Sequence, residues 1–64
     1  MVSPLKIARI KAELSQTRLA DLTRNHQVRI SRIERGARPH PEEADLIAKA
    51  LGVPPEELFD GVRE

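Results

Sequence analysis

The sequence predicts an all-α domain of five short helices, and three kinds of signal carry that expectation. Helix-opening residues recur along the chain, at Ser3-Pro4, Ser15, Asn25-His26, Pro41 and Pro54-Pro55. Between them, apolar residues return at spacings of three and four and do not alternate with period two. Gly36, Gly52 and Gly61 stand where helices should stop.

The elements follow in order. Ser3 as N-cap and Pro4 as first residue open a helix to about Glu13, with Leu5, Ala8, Ala12 and the pair Ile10/Leu14 at helical spacing. Ser15 caps a second, short helix whose inward side is Leu19, Ala20 and Leu22. A third starts at Asn25 or His26 and ends at Gly36. Arg38-Pro39-His40-Pro41 is a stiff loop whose second proline opens a fourth helix. Glu42, Glu43 and Asp45 lie in its first turn, where the helix dipole favours them. That helix carries Ala44, Ile47, Ala50 and Leu51 and stops at Gly52. Pro54-Pro55-Glu56-Glu57 opens a last helix of one or two turns bearing Leu58 and Phe59.

Composition narrows the function. Residues 1–64 form one domain, near the lower size limit at which an apolar core holds a fold unaided. The chain has no cysteine and two histidines, His26 and His40, so neither a disulfide framework nor a metal site is expected. No phosphate loop or catalytic cluster suggests an enzyme, and no cofactor or small-molecule ligand is inferred. Nothing is apolar enough to span a membrane or to lead secretion, so a cytoplasmic protein is expected.

Net charge is only +1, but it is unevenly placed. Residues 18–40 hold six arginines (Arg18, Arg24, Arg29, Arg32, Arg35, Arg38) against Asp21 and Glu34, a local +4. Residues 41–64 hold seven acids against Lys49 and Arg63, a local −5. A basic surface beside an acidic one suits a module that shows a single face to a polyanion.

The basic stretch coincides with a motif. Ser15-Gln16-Thr17-Arg18-Leu19-Ala20 is followed by Ile30-Ser31-Arg32-Ile33-Glu34-Arg35-Gly36, a helix-turn-helix over about 16–35. From about Leu5 to about Phe59 the chain resembles the lambda-repressor-like (XRE) DNA-binding family, which includes phage repressors and Cro proteins. The resemblance implies that the third helix reads DNA.

Helical geometry agrees with that role. At about 100° per residue, with Gln27 at 0°, Ser31 falls near 40°, Arg35 near 80°, Val28 near 100° and Arg32 near 140°. Ile33 and Ile30 fall near 240° and 300°, roughly opposite. One side is for burial and the other is free to enter a major groove. Repressors of this family read bases at the helix start, where Gln27 could bond adenine through N6 and N7. Val28 suits a thymine methyl, and Ser31 either permits close approach or simply fills the helix. Arg32 could hold a guanine or, less favoured, a phosphate.

The remaining roles come from the resemblance. It implies backbone contacts by Arg35 and Arg38 and places Gln16 on a phosphate, bracing Gln27; Arg18 joins this phosphate set. Arg9 and Glu34 match an ion pair of the relatives, preferred over a phosphate-contacting Arg9. The chain departs from the pattern where Thr23-Arg24-Asn25 replaces a glycine turn flanked by apolar residues. Either Arg24 takes φ > 0 at some strain cost or the turn follows another path, and polar Thr23 and Asn25 should weaken that corner of the core. Glu13 also replaces a common glycine.

The leading expectation is a sequence-specific regulator that binds double-stranded DNA as a homodimer at a near-palindromic operator. A phage-type repressor, a restriction-modification controller and an antitoxin-like regulator all fit that description. The alternative is a protein-interaction module of the same fold with weak or no DNA binding. Pairing is expected through residues 51–62, where Leu51, Val53, Leu58, Phe59 and Val62 offer more apolar surface than a terminal helix buries at home. Leu58, Phe59 and Val62 form the expected interface, with Phe59 or Val62 at its centre; the alternative is that these residues cap the monomer's own core, as Leu51 is expected to do and Leu58 could.

Overall fold

Two serines set the first helix starts. In the computed structural model, which describes residues 3–59, the Ser3 hydroxyl accepts from the Lys6 amide at 3.1 Å and opens α1, Pro4–Lys11. Ser15 does the same for α2, Gln16–Leu22, accepting from the Arg18 amide at 3.0 Å. Next come α3, Gln27–Glu34, α4, Pro41–Leu51, and α5, Pro55–Leu58. Among the described residues the architecture is all-helical, as the sequence predicts.

Helix ends explain two unusual residues. α1 stops at Lys11, short of Glu13, because Glu13 turns left-handed at φ 61°. Its amide then bonds the Ile10 carbonyl at 2.9 Å while the Leu14 amide reaches back to Arg9 at 3.1 Å. After α2, Arg24 adopts φ 57°, the conformation expected for a residue in a glycine position. The Asn25 amide closes that turn on the Ala20 carbonyl at 2.8 Å. Left-handed backbone costs a non-glycine residue roughly 1–2 kcal/mol. Gly36 and Gly52 end α3 and α4 in the same way without that cost.

The turn's polar residues do not weaken the core. Thr23 is buried, and its hydroxyl donates to the Leu19 carbonyl at 2.8 Å. Asn25 donates to Glu43 at 3.0 Å. A buried polar group costs little when bonded, so the expected loss at this corner is absent.

The core joins all five helices through Leu5, Leu19, Ala20, Ile30, Ile33, Ile47, Ala48, Leu58 and Phe59. α2 packs chiefly on α3, α1 on α5, and α4 on both α5 and α2. Three residues expected inside lie outside. Ile10 is 55 % exposed, Leu22 is 48 % exposed, and Ala12 is also exposed. Ile10 sits about 140° round the helix from buried Leu5. In α2 the buried arc is Leu19, Ala20 and Thr23, and Leu22 falls about 110° from its middle.

The C-terminal residues also differ from expectation. Leu58 and Phe59, assigned to a dimer interface, are 3 % and 8 % exposed in the protomer's own core. α5 packs on α1 and α4, and both residues join the single core of the protomer. Val62 lies outside the described residues.

Candidate nucleic-acid interface

α3 presents two unlike sides. Ile30 and Ile33 are buried, while Gln27, Val28, Arg32 and Arg35 are exposed and Ser31 is half-buried. Val28 is 55 % exposed at the start of the helix. Arg18 on α2 and Arg38 in the loop after α3 are exposed, and Gln16 is half-buried at the start of α2. The residues assigned to bases therefore share one side of α3.

Behind that side runs a chain of hydrogen bonds. The Arg9 Nε donates to Glu34 Oε2 at 2.6 Å, and Arg9 Nη1 donates to the Leu14 carbonyl at 2.8 Å. Gln16 Nε2 donates to Glu34 Oε1 at 2.9 Å, and Gln27 Nε2 donates to Gln16 Oε1. α1, the start of α2 and both ends of α3 are thus linked through one buried carboxylate. The Arg9–Glu34 pair and the bracing of Gln27 by Gln16 are present as expected.

The amide chemistry has a consequence for recognition. Gln16 holds its Nε2 toward Glu34, so its Oε1 faces Gln27 and takes one hydrogen of the Gln27 amide. The second hydrogen and Oε1 of Gln27 remain. Those are the donor and acceptor that adenine N7 and N6 require.

A second cluster escaped the sequence reading. Glu43 Oε1 accepts from Arg29 Nη2 at 2.7 Å and from the His40 amide at 2.8 Å. Its Oε2 accepts from Arg29 Nε at 2.9 Å and from Asn25 Nδ2 at 3.0 Å. Arg29 also donates to the Arg38 carbonyl at 3.1 Å. One signal was available: Arg29 lies about 200° from Gln27, on the back of the reading arc. Its partner was not legible, because Glu43 had a sufficient local reading in the first turn of α4.

This cluster sets a pH dependence. Hydrogen bonds from Arg29, then from the His40 amide and Asn25, outweigh partial burial and hold the Glu43 carboxyl down to about 2, from 4.5. A depressed carboxyl stabilises the fold fully above its unfolded value and loses that contribution as pH falls through the folded one. Thermal melts should therefore show the advantage of the native chain over Glu43→Gln shrinking between about pH 5 and about pH 2. An advantage constant across that range would show that the carboxylate charge is not involved.

A helix-turn-helix family profile matches residues 5–58, which spans all five helices. The chain belongs to the lambda-repressor-like helix-turn-helix family. No curated protein and no solved structure matches it. The family is one of DNA-binding regulators. In this helix-turn-helix domain no helix among the described residues is long and apolar enough to cross a membrane.

Proposed function

We propose that this protein is a sequence-specific transcriptional regulator of double-stranded DNA, with α3 lying in the major groove. The observation that supports this most is Gln27, whose amide is exposed for reading while its orientation is held from behind by Gln16 and Glu34. In this reading Gln27, Val28, Ser31 and Arg32 meet base edges. Gln16, Arg18, Arg35 and Arg38 meet the sugar-phosphate backbone and set the register.

The two groups separate in a binding experiment. Gln27→Ala should cost about 1–3 kcal/mol on a site selected from randomised duplexes, with little change on random DNA. Arg35→Ala should weaken both alike and reduce the salt slope by about one. Equal losses on the two DNAs for Gln27→Ala would remove that residue from readout.

A single short reading helix gains affinity and specificity from a second copy, so the reading includes a homodimer on a near-palindromic operator. The two α3 helices would then lie about 34 Å apart, one turn of DNA. Leu58 and Phe59 belong to the protomer's core, so neither is free to pair with a second copy. Sedimentation with and without a selected operator tests the stoichiometry; one copy per site would overturn the dimer.

A second reading rests on exposed aliphatic residues away from α3, namely Ile7, Ile10, Leu22 and Leu46. These would suit a protein-interaction module that binds DNA weakly or not at all. Such a module would show little or no salt-dependent binding to duplex DNA.

A further inference from the structure

Arg29 looks by position like one more cation of the basic reading segment. Its surroundings say otherwise. It lies on the back of α3, and its side chain points to α4, where Glu43 takes two of its hydrogen bonds. Its third goes to the carbonyl of Arg38, nine residues on, in the loop between α3 and α4.

The Glu43 carboxylate is fully engaged. Its two oxygens take four donors: two from Arg29 on α3, one from Asn25 in the turn before α3, and one from the His40 amide that starts α4. Asn25 in turn accepts from the His26 amide through its Oδ1 at 2.9 Å. The turn, the reading helix, the loop and α4 therefore meet at one charge. Within that loop Pro39 is buried, while the Arg38 side chain is exposed. The loop is held from both flanks of Pro39, by the Arg38 carbonyl on one side and the His40 amide on the other.

We infer that Arg29 and Glu43 are positioning residues of the DNA interface, which clamp the α3–α4 loop so that Arg38 is held against the sugar-phosphate backbone. This rests on the DNA-binding reading above. The clamp removes the freedom of the loop before binding, so the ordering cost of the Arg38 contact falls. It also withdraws Arg29 from the set of cations available to phosphate. The planar guanidinium meets both carboxylate oxygens through Nε and Nη2 while Nη2 also reaches the Arg38 carbonyl, a fork that a single ammonium nitrogen does not reproduce.

Arg29→Lys is the test, since it keeps the charge and loses the fork. Binding of the full chain to a selected duplex would be measured across a salt series for the native protein, Arg29→Lys, Arg38→Ala and the double variant. Far-ultraviolet circular dichroism would establish that each is folded. Arg29→Lys is expected to lower affinity about three- to tenfold and to reduce the salt slope by about one, as Arg38→Ala does. In the Arg38→Ala background it should change affinity by less than about twofold, because the contact that it positions is gone. Glu43→Gln provides a second route, releasing Arg29 without altering its charge, and should follow the same pattern.

Several results would overturn the clamp. An unchanged affinity and slope for Arg29→Lys would mean that the loop is held without it. Full additivity with Arg38→Ala would mean that the two act separately. A higher affinity and steeper slope for Glu43→Gln would show Arg29 to be a phosphate contact restrained by its partner. No salt-dependent binding by the native protein would instead overturn the DNA-binding reading, and the clamp's role with it.

Discussion

Glu34→Ala is expected to lower unfolding stability by up to about 3–5 kcal/mol, the range for breaking a buried ion pair by removing one partner. The Arg9 and Glu34 side chains are 11 % and 4 % exposed, so water does little to replace the lost carboxylate. Arg9 would keep only the Leu14 carbonyl, and Gln16 would lose its acceptor. A chain of 64 residues has a total stability of only about 3–10 kcal/mol, so the variant should melt far below the native protein. Urea or thermal melts of Glu34→Ala, Arg9→Ala and the double variant form a cycle. Strict additivity would show that the two charges do not interact. A mildly destabilised Glu34→Gln that stays folded should still lose site discrimination, because Gln16 then braces Gln27 less firmly.

Phe59→Ala is expected to cost about 3–5 kcal/mol, as large aromatic truncations in a packed core do. The side chain is the only aromatic in the chain, and it belongs to the same buried core as Leu5, Ile47 and Leu58. The variant should therefore lose its helical signal at moderate temperature, at any protein concentration. A Phe59→Ala protein that stays fully folded and merely sediments as a smaller species would place Phe59 between protomers instead. Ile10→Ala supplies the contrast, since its exposed side chain should change stability by no more than about 0.5 kcal/mol.

Much of the candidate surface was legible in the residues. Gln27, Val28, Arg32 and Arg35 share an exposed arc opposite Ile30 and Ile33 because helical period is a local property, and the helix is regular. Ser3 and Ser15 mark helix starts for an equally local reason, a hydroxyl reaching an amide three residues on. At Arg24 the residues left two paths open, and the structure takes the left-handed one at φ 57°. What that turn does with its neighbours was not readable, since Thr23 turns inward to its own carbonyls and Asn25 finds a carboxylate on α4.

The chain's local order thus determined the all-helical fold, the helix-turn-helix and the polar arc of α3, through caps, turns and a 3.6-residue period that need no distant partner. The tertiary structure decided which charges meet and which apolar groups are covered. Arg29 meets Glu43 across 14 positions, and Arg9 meets Glu34 across 25. Such pairs depend on the angle at which helices cross, and that angle follows from the packing of the whole core. The same packing turns Ile10 and Leu22 out to solvent and draws Leu58 and Phe59 in, although each is apolar and each lies in or beside a helix. Periodicity says that a side will be buried; only the neighbours that arrive determine how wide that side is.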